Sequence, residues 1–525
     1  MLQLRYIFTR LIFFWLTLFI LRIPSFFFSW WYEDENIYLA IGHAIVKGKL
    51  LYVQTWDNKP PLIYLIYAVL YIFFETQIWA YKVFNFLLAV WEISIFNYIV
   101  SDIFSFSKKQ TFWTTLSLTV LLGIAFEGTI LNAENIFVPL VLTGFYLIYS
   151  ELKVFQTTEK INIGRLLFGG IFWFLASFTK IHAVLEIGIL SLVSGLILIY
   201  DKFHTVTSLR ILVSKLLKFK QLKYFILIPL LPTFIGYICL ILFYNSQGYL
   251  PDLYYSLVGF SKDYVQTNNI PIILGFKLTK LTGLQIRTVL FCIILIVVTY
   301  LFWKNYIKKS SFLLCSWLSV TGFIVLIPER GYNHYLLQLL PPALISVTLL
   351  ANYLSLSQKS IIEKFLLLIS VGLGSQMLLS NFPTTYKTLW NYYDNVGVYF
   401  GQFVKVTLNK KSLKAWQKSY DPLIYEAQEL LPSKVQELTT PKDKIFLYGK
   451  LSEIYAMSDR VSGAKWITAA HVVDNKKLYQ KLLASKTRLI VIDSNMDNNK
   501  KFSNLISSNY KKILSVEQYD FWSNQ

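Results

Sequence analysis

Residues 31–64 read WYEDENIYLAIGHAIVKGKLLYVQTWDNKPPLIY, and this hydrophilic stretch separates two apolar blocks of the chain. It begins with three acidic residues, continues as an amphipathic segment and ends at a Lys-Pro-Pro step. Carboxylates are costly to hold beside a hydrocarbon layer, so their presence at a membrane face indicates a functional site. We therefore expect the chemistry of the protein to lie in this stretch.

The composition predicts that the rest of the chain is embedded in a membrane. Of the 525 residues, 55% are hydrophobic and 17% are aromatic. Apolar runs long enough to cross about 30 Å of hydrocarbon recur along the sequence. The net charge of +20 comes mainly from Lys and Arg in short loops, which the positive-inside rule explains without nucleic acid. The three cysteines lie in apolar stretches and do not indicate a redox compartment: Cys239, Cys292 and Cys315.

The charges of the loops predict the topology. Arg5 and Arg10 precede the first apolar segment and place the amino terminus in the cytoplasm. Four Lys-rich segments should be cytoplasmic as well: residues 108–109, 153–160, 202–223 and 304–309. All four lie on that side only if one apolar block does not cross the membrane. The block at 61–75 is short of the ~20 residues that a crossing needs, and it begins with prolines, so we predict a re-entrant or interfacial segment.

This topology predicts a polytopic α-helical membrane protein with about eleven transmembrane helices and exterior amphipathic helices. Segments 164–178 and 182–200 are either two crossings or one long bent helix. Hydropathy falls from about residue 382, which divides the chain into a transmembrane domain, 1–381, and a tail, 382–525. In the tail, IFLYG and RLIVIDS predict buried strands and LSEIYAMS and KKLYQKLLAS predict helices, so we expect a small α/β domain on the exterior side.

Most of the unusual charged residues fall on the predicted outer side. Asp34 and Glu35 are the catalytic candidates, and four residues are pocket candidates: Asp57, Glu134, Lys180 and His182. Each residue also has a simpler interpretation. Asp34 can cap the helix that follows it, and lysines such as Lys59 and Lys82 can anchor at the interface. Lys180 and His182 can mark a turn, Arg330 can pair with Glu329, and a lone His334 is more often structural. The gathering of the whole set on one face favours a site for a substrate that is part lipid and part water-soluble.

The stretch DENIYLAIGHAIVKGKLLY, followed by WDNKPPLIYLIYA, resembles the superfamily of protein O-mannosyltransferases and aminoarabinose transferases. These are polyprenyl-phosphate-sugar-dependent glycosyltransferases with a C-type membrane fold. Further similarity lies in GGIFWFLASFTK, which ends at Lys180, in ERGYNHYLLQLLPPALI, which begins at Glu329, and in KDKIFLYGKLSEIYAMSDR of the tail. The resemblance extends in patches from about residue 30 to residue 460.

The resemblance implies that Asp34 is the catalytic base and that Lys59 lies near the lipid phosphate. Related enzymes often carry an arginine where this chain has Lys82, which keeps the charge and loses the two-pronged geometry of guanidinium. The implied partners are a polyprenyl-phosphate-linked sugar donor, a glycan, lipid or protein acceptor and membrane lipids. The implied location is the plasma (inner) membrane, with the site and the tail on the extracytoplasmic side.

The residue types suit this chemistry. A carboxylate within about 3 Å of the acceptor hydroxyl removes its proton, and fixed cations stabilise the departing phosphate. The candidates for binding the phosphate or donor are Lys59, Lys82, Arg330, Tyr332 and His334. One direct displacement at the anomeric carbon inverts its configuration. No cofactor is expected, and the acids and histidines show no metal-ligand spacing; some members of the superfamily hold a divalent ion, so metal dependence stays open.

Two other functions compete with this interpretation. A lipid or solute transporter would place its ionisable groups near the membrane centre and often show two similar halves, whereas these charges gather at one face. An O-antigen polymerase or ligase would centre on a large exterior loop rich in Arg and His, and not on an early acidic pair. A catalytically inactive scaffold is a third alternative.

Overall fold

The computed structural model of the chain describes residues 2–124, 127–204, 215, 219–260, 283–327, 332–355, 397, 400–418, 422–472, 474–496 and 499–524. Helices dominate the membrane part. The first eight are α1 (Leu2–Arg22), α2 (Glu33–Val46), α3 (Leu62–Phe74), α4 (Ile78–Tyr98), α5 (Lys108–Ile124), α6 (Ala133–Thr158), α7 (Ile163–Ser177) and α8 (Ala183–Phe203). Further helices among the described residues before the tail are Lys220–Ser246, Leu250–Tyr254, Gly283–Trp303, Lys309–Leu326 and Leu340–Ser355.

Among the described residues, 8 helical segments are long and apolar enough to cross a membrane. They are Phe8–Phe27, Ile78–Ile103, Ala133–Thr158, Ala183–Phe203, Lys220–Ser246, Gln285–Trp303, Lys309–Leu326 and Asn333–Asn352. The prediction of a polytopic helical membrane protein is confirmed. The count of eleven crossings stays a prediction, because the apolar segment at 362–380 lies outside the described residues.

The block at 61–75 forms α3, whose 13 residues rise only about 20 Å at 1.5 Å per residue, less than the hydrocarbon thickness. Segments 164–178 and 182–200 form α7 and α8, two helices separated by a turn. The alternative of one long bent helix is therefore wrong.

Glycines let the membrane helices pack closely. A Cβ at Gly144 of α6 would lie 2.5 Å from the indole nitrogen of Trp173 on α7. A Cβ at Gly170 of α7 would lie 2.5 Å from the carbonyl oxygen of Pro229 in the helix Lys220–Ser246. In lipid, where burial of apolar surface does not drive association, such close contacts hold helices together.

The tail contains a five-stranded mixed sheet, with strands β1 (Lys444–Tyr448), β2 (Val461–Ser462), β3 (Leu489–Asp493), β4 (Lys511–Val516) and β5 (Tyr519–Ser523). Their order in the sheet is β2-β1-β3-β5-β4. β1 runs parallel to β2 and β3, and β5 runs antiparallel to β3 and β4. The helices described around it include Leu413–Lys418, Pro422–Leu438, Glu453–Met457, Asn475–Ala484 and Asn499–Ile506.

The predicted α/β organisation of the tail is confirmed. IFLYG forms β1, RLIVIDS forms β3, and the two predicted helices are Glu453–Met457 and Asn475–Ala484. Apolar side chains of β1 and β3 are buried, as the continuous apolar runs predict for inner strands. The proposed boundary between residues 381 and 382 lies outside the described residues and stays a prediction.

The tail covers α2, which carries the acidic stretch. α2 packs against α3 on one side and against the tail helix Glu453–Met457 on another. A Cβ at Gly42 would lie 2.8 Å from the backbone nitrogen of Ala68, so glycine permits the close approach of α2 and α3. Every residue of α2 from Glu35 to Ala44 is buried. The amphipathic segment is therefore enclosed, and does not lie on an open membrane surface.

Candidate functional site

Asp34 lies in the first turn of α2 and does not cap it. The N-cap residue is Tyr32, and it makes no side-chain capping bond. The Asp34 carboxylate lies instead 3.9 Å from Nζ of Lys59, with 30% and 23% of the two side chains exposed. The simpler interpretation of Asp34 as a helix cap is therefore wrong. The charged pair lies where a ligand can reach both groups.

Lys59 also faces a second carboxylate. Its Nζ lies 3.8 Å from Oδ2 of Asp57 and 4.9 Å from the ring centre of Tyr38. Asp57 is buried and accepts hydrogen bonds from the Tyr64 hydroxyl at 2.7 Å and the Asn58 N–H at 2.8 Å. The prolines that follow Lys59 start α3, so the Lys-Pro-Pro step and the first turn of α3 together hold this group of side chains.

The surroundings keep Asp57 ionised. Burial alone would raise the pKa of its carboxyl, yet the positive charge of Lys59, the His471 ring and the hydrogen bonds of Tyr64 and Asn58 outweigh burial and lower it. A negative charge fixed at Asp57 in turn attracts the Lys59 ammonium. Asp57 is therefore suited to positioning Lys59.

The tail contributes His471 to this group. Its Nε2 lies 4.0 Å from Oδ1 of Asp57, and its ring packs at right angles to Trp56, with centroids 5.2 Å apart. Burial lowers the pKa of the imidazole despite the neighbouring carboxylates of Asp57 and Asp34. Among the described residues Nδ1 has no hydrogen-bond partner. His471 could not be predicted as a site residue from the sequence. It is a single histidine in a tail that contains no recognisable motif, so the residues that it contacts in the folded chain are not evident.

A second cluster joins Tyr32, Glu127 and His334. The Tyr32 hydroxyl donates to Oε2 of Glu127 at 2.8 Å and lies 2.8 Å from Nδ1 of His334, which itself lies 2.8 Å from the same carboxylate oxygen. Glu127 has a left-handed backbone, with φ 61°. Burial, followed by the charge of Glu127, raises the pKa of Tyr32, so its hydroxyl keeps its proton. Tyr332, exposed at its ring, stacks on His334 with centroids 5.6 Å apart.

Glu134 and Lys180 form an ion pair between the start of α6 and the turn before α8. Nζ of Lys180 also lies 4.4 Å from the ring centre of Tyr335, a residue that the sequence did not single out. Burial and the charge of Lys180 lower the pKa of His182 to about 4, so His182 is neutral near pH 7. The predicted pocket residues Glu134, Lys180 and His182 therefore lie together.

Glu35 and Lys82 form a separate, closed pair. Nζ of Lys82 lies 2.9 Å from Oε2 of Glu35, and both side chains are buried. Glu35 also accepts the N–H of Leu131 at 2.6 Å. The interpretation of Lys82 as a snorkelling anchor is wrong, and neither group is open to a substrate. Adjacent acids on α2 thus have different environments, one open and one closed.

The two clusters meet at the start of α2. Tyr32 and Asp34 are two residues apart at the start of α2, and the charges of Asp34 and Glu134 both raise the pKa of Tyr32. Arg330, the remaining predicted donor-binding residue, lies outside the described residues. Within the described part of the chain, no group of three or more His, Cys, Asp or Glu side chains is placed to hold a metal ion.

Comparisons with known proteins give matches among solved structures. No protein-family model matches the sequence, and no curated protein matches it. ArnT from Cupriavidus metallidurans bound to undecaprenyl phosphate aligns with a TM-score of 0.54 and 10% identity, over 97% of each chain. Its apo form aligns with a TM-score of 0.52 and 11% identity, over 98% of this chain and 97% of that one.

The Archaeoglobus fulgidus oligosaccharyltransferase in its apo form aligns with a TM-score of 0.45 and 12% identity, over 99% of this chain and 74% of that one. The alignments with ArnT extend over nearly the whole of both chains and include the membrane part and the tail. The chain therefore has the fold of ArnT, the C-type membrane fold that the sequence resemblance implied.

Proposed function

We propose that the protein transfers a sugar from a polyprenyl-phosphate donor to an acceptor hydroxyl, with Asp34 as the general base. One observation carries the proposal: the Asp34 carboxylate and the Lys59 ammonium lie 3.9 Å apart and are both partly exposed. A glycosyl transfer requires a base for the proton of the acceptor hydroxyl and a cation for the departing phosphate, and these two groups lie side by side here.

Asp34 is the acid best suited to act as the base. Its neighbour Glu35 is buried and occupied by Lys82 and by the N–H of Leu131, so it cannot approach an acceptor. Asp57 is also buried and accepts two hydrogen bonds. In this proposal Glu35 and Lys82 are positioning residues that fix the start of α2, and Asp34 alone takes a proton.

Lys59 is the cation best suited to meet the donor phosphate. It lies 3.9 and 3.8 Å from its two carboxylate neighbours, longer than a charge-assisted hydrogen bond of about 2.8 Å. A phosphate oxygen can therefore become a closer partner than either carboxylate. In this proposal Lys180 and His334, with Tyr332 stacked on His334, extend the site toward the sugar and the acceptor.

The reaction is a single displacement. The acceptor oxygen forms a bond to the anomeric carbon as the bond from that carbon to the phosphate oxygen breaks. The acceptor proton passes to Asp34, and polyprenyl phosphate leaves with the bonding electron pair. A single displacement inverts the configuration at the anomeric carbon, and no covalent enzyme intermediate forms.

The fold and the charge pattern support the same proposal. ArnT, which shares the fold, has been solved with undecaprenyl phosphate bound. The Lys-rich loops predict that the end of the bundle carrying Asp34 faces away from the cytoplasm. We propose an inner-membrane enzyme that acts at the extracytoplasmic face, with the tail on the same side.

The test is mass spectrometry of surface glycans, glycolipids and glycoproteins from cells with and without the gene. Loss of one sugar from one class of molecule, restored by the wild-type gene, would identify donor and acceptor together. Unchanged glycans combined with a change in uptake or export of a lipid or solute would favour the transporter and contradict the proposal.

A further inference from the structure

A cavity of about 690 Å³ lies at the other end of the bundle from Asp34. Its lining comes from the far ends of α6 and α8 and from the segment between the helices Gly283–Trp303 and Lys309–Leu326. On α6, Lys153 lines the cavity and Glu134 lies in the candidate site, and the residues between them span about 28 Å at 1.5 Å per residue. The cavity is therefore separate from the candidate site.

The cavity has the polarity of an amphipathic ligand. Three lysines line it, Lys153, Lys308 and Lys309, and none of its described lining residues is Asp or Glu. Apolar side chains line it as well, among them Phe302 and Leu313, which are buried. Cations beside buried apolar surface suit a phosphate ester that carries a hydrocarbon chain.

Among the described residues, the carboxylates of Asp201 and Asp102 lie near two of the lysines that line the cavity. Lys309 pairs with Asp201 at 2.6 Å, and both remain partly exposed. Lys153 donates to the backbone oxygen of Asp102, whose carboxylate accepts instead from Tyr146 at 2.9 Å. Lys153 thus contacts the backbone of Asp102 and makes no ion pair with the Asp102 or Asp201 carboxylate.

The helix Gly283–Trp303, whose Phe302 lines the cavity, also carries exposed apolar side chains. Gly283–Trp303 exposes Ile293, Ile296 and Tyr300, residues spaced to lie on one helix face. This helix is also one of the candidate membrane spans, so that face is open to lipid. The lysines at the end of the helix then lie at the depth of the lipid headgroups, where cationic side chains bind anionic phosphates.

We propose that this cavity binds an anionic glycerophospholipid from the leaflet opposite the candidate site. The phosphate lies among Lys153, Lys308 and Lys309, and an acyl chain follows the exposed face of Gly283–Trp303. The sequence supports the location, because these lysines belong to loops that the positive-inside rule assigns to the cytoplasm. The site does not depend on the proposed sugar transfer.

Native mass spectrometry of the full chain in detergent tests the proposal with four probes: phosphatidylglycerol, phosphatidylcholine, undecaprenyl phosphate and inorganic phosphate. We expect phosphatidylglycerol to bind, and K153Q/K308Q/K309Q to weaken that binding about tenfold or more. The matched control is K476Q/K477Q/K481Q, which removes three exposed lysines from the tail and should leave binding unchanged. Ser310→Trp fills the cavity without changing charge and should also weaken binding.

Several results would overturn the proposal. Equal binding of phosphatidylcholine would remove the role of headgroup charge, and equal binding of inorganic phosphate would remove the role of the chain. If undecaprenyl phosphate displaced phosphatidylglycerol from this site, the site would bind a polyprenyl phosphate and not the proposed glycerophospholipid. Unchanged binding in the triple lysine variant, with the thermal midpoint of the wild type, would place the bound lipid elsewhere.

Discussion

Asp57 and His471 come from opposite ends of the chain, yet Oδ1 of the first lies 4.0 Å from Nε2 of the second. Asp57 belongs to the Lys-Pro-Pro stretch beside the candidate base, and His471 belongs to the tail. The tail therefore does more than cover the membrane part, because it supplies a side chain next to the group that positions Lys59. This contact gives the tail a testable influence on transfer.

Replacing His471 with alanine should lower turnover about 10- to 100-fold, because Asp57 and Lys59 lose a neighbour that fixes them. The pH profile of transfer should also change, since His471 lowers the pKa of Asp57. Turnover at several pH values, with the thermal midpoint, checks both statements. The matched control is His204→Ala, at the end of α8 remote from Asp34. An unchanged pH profile for His471→Ala would contradict the positioning role.

Replacing Asp34 with asparagine should abolish most transfer while the protein still folds. Asparagine keeps the shape and cannot accept the proton, and loss of a general base typically costs about 10²- to 10⁴-fold in rate. Glu33→Gln is the matched control, because Glu33 is a neighbouring acid that pairs with Lys450 of the tail at 3.8 Å. Quantifying the glycan product in cells that express equal amounts of each variant measures the effect. Retained transfer by Asp34→Asn would remove Asp34 from the mechanism.

Replacing Lys82 with methionine should destabilise the fold. The change leaves the Glu35 carboxylate buried without its cation, and breaking a buried pair typically lowers the free energy of unfolding by about 3–5 kcal/mol. The double variant Glu35→Gln with Lys82→Met should recover part of that loss, since glutamine still accepts the N–H of Leu131. Thermal midpoints of the purified variants test this. A stable Lys82→Met that has lost transfer would instead assign Lys82 to the donor phosphate.

The carboxyl of Glu453 predicts a pH dependence of stability. Burial raises its pKa from 4.5 to about 8, although Gln428 donates a hydrogen bond to Oε1 at 2.6 Å. Between pH 4.5 and about 8 the folded protein holds a proton on Glu453 that the unfolded chain has lost. The contribution of this proton to the free energy of unfolding is therefore complete below pH 4.5 and declines as the pH rises toward about 8.

Thermal midpoints measured from pH 5 to pH 9 should therefore fall more steeply for the wild type than for Glu453→Gln. Glu437→Gln serves as the control, because Glu437 is exposed and pairs with the nearby Lys434. Parallel curves for the wild type and Glu453→Gln would show that Glu453 is already ionised in the folded protein.

Hydropathy and charge predicted the membrane class, the α/β organisation of the tail and the gathering of charged residues at one face, and the family resemblance implied that Asp34 and Lys59 belong to one site. These features follow from local patterns, since apolar runs, strand-like runs and the Lys-Pro-Pro step are all visible in the sequence. The different environments of Asp34 and Glu35 were not predictable. Successive residues on a helix point about 100° apart, and only the packed neighbours of α2 decide which of them is enclosed.

The contribution of His471 was also beyond the sequence. It depends on how the tail docks on α2, through contacts such as that of His43 with Asp459 at 3.0 Å and of Lys47 with the same carboxylate at 2.7 Å. These partners are distant along the chain, and no pattern in either segment predicts that it contacts the other. The grouping of Tyr32 and Glu127 with His334 also depends on contacts between distant segments, so the sequence could not predict it.

The enclosure of α2 between α3 and the tail also has a consequence for dissection of the protein. Cutting the chain into a membrane piece and a water-soluble piece would strip one wall from a helix whose side chains are buried from Glu35 to Ala44. His43 and Lys47 would lose Asp459, the carboxylate of the tail that both of them contact. Neither fragment would then hold the geometry of the intact molecule, and co-expression of the two pieces would have to rebuild it by reassociation.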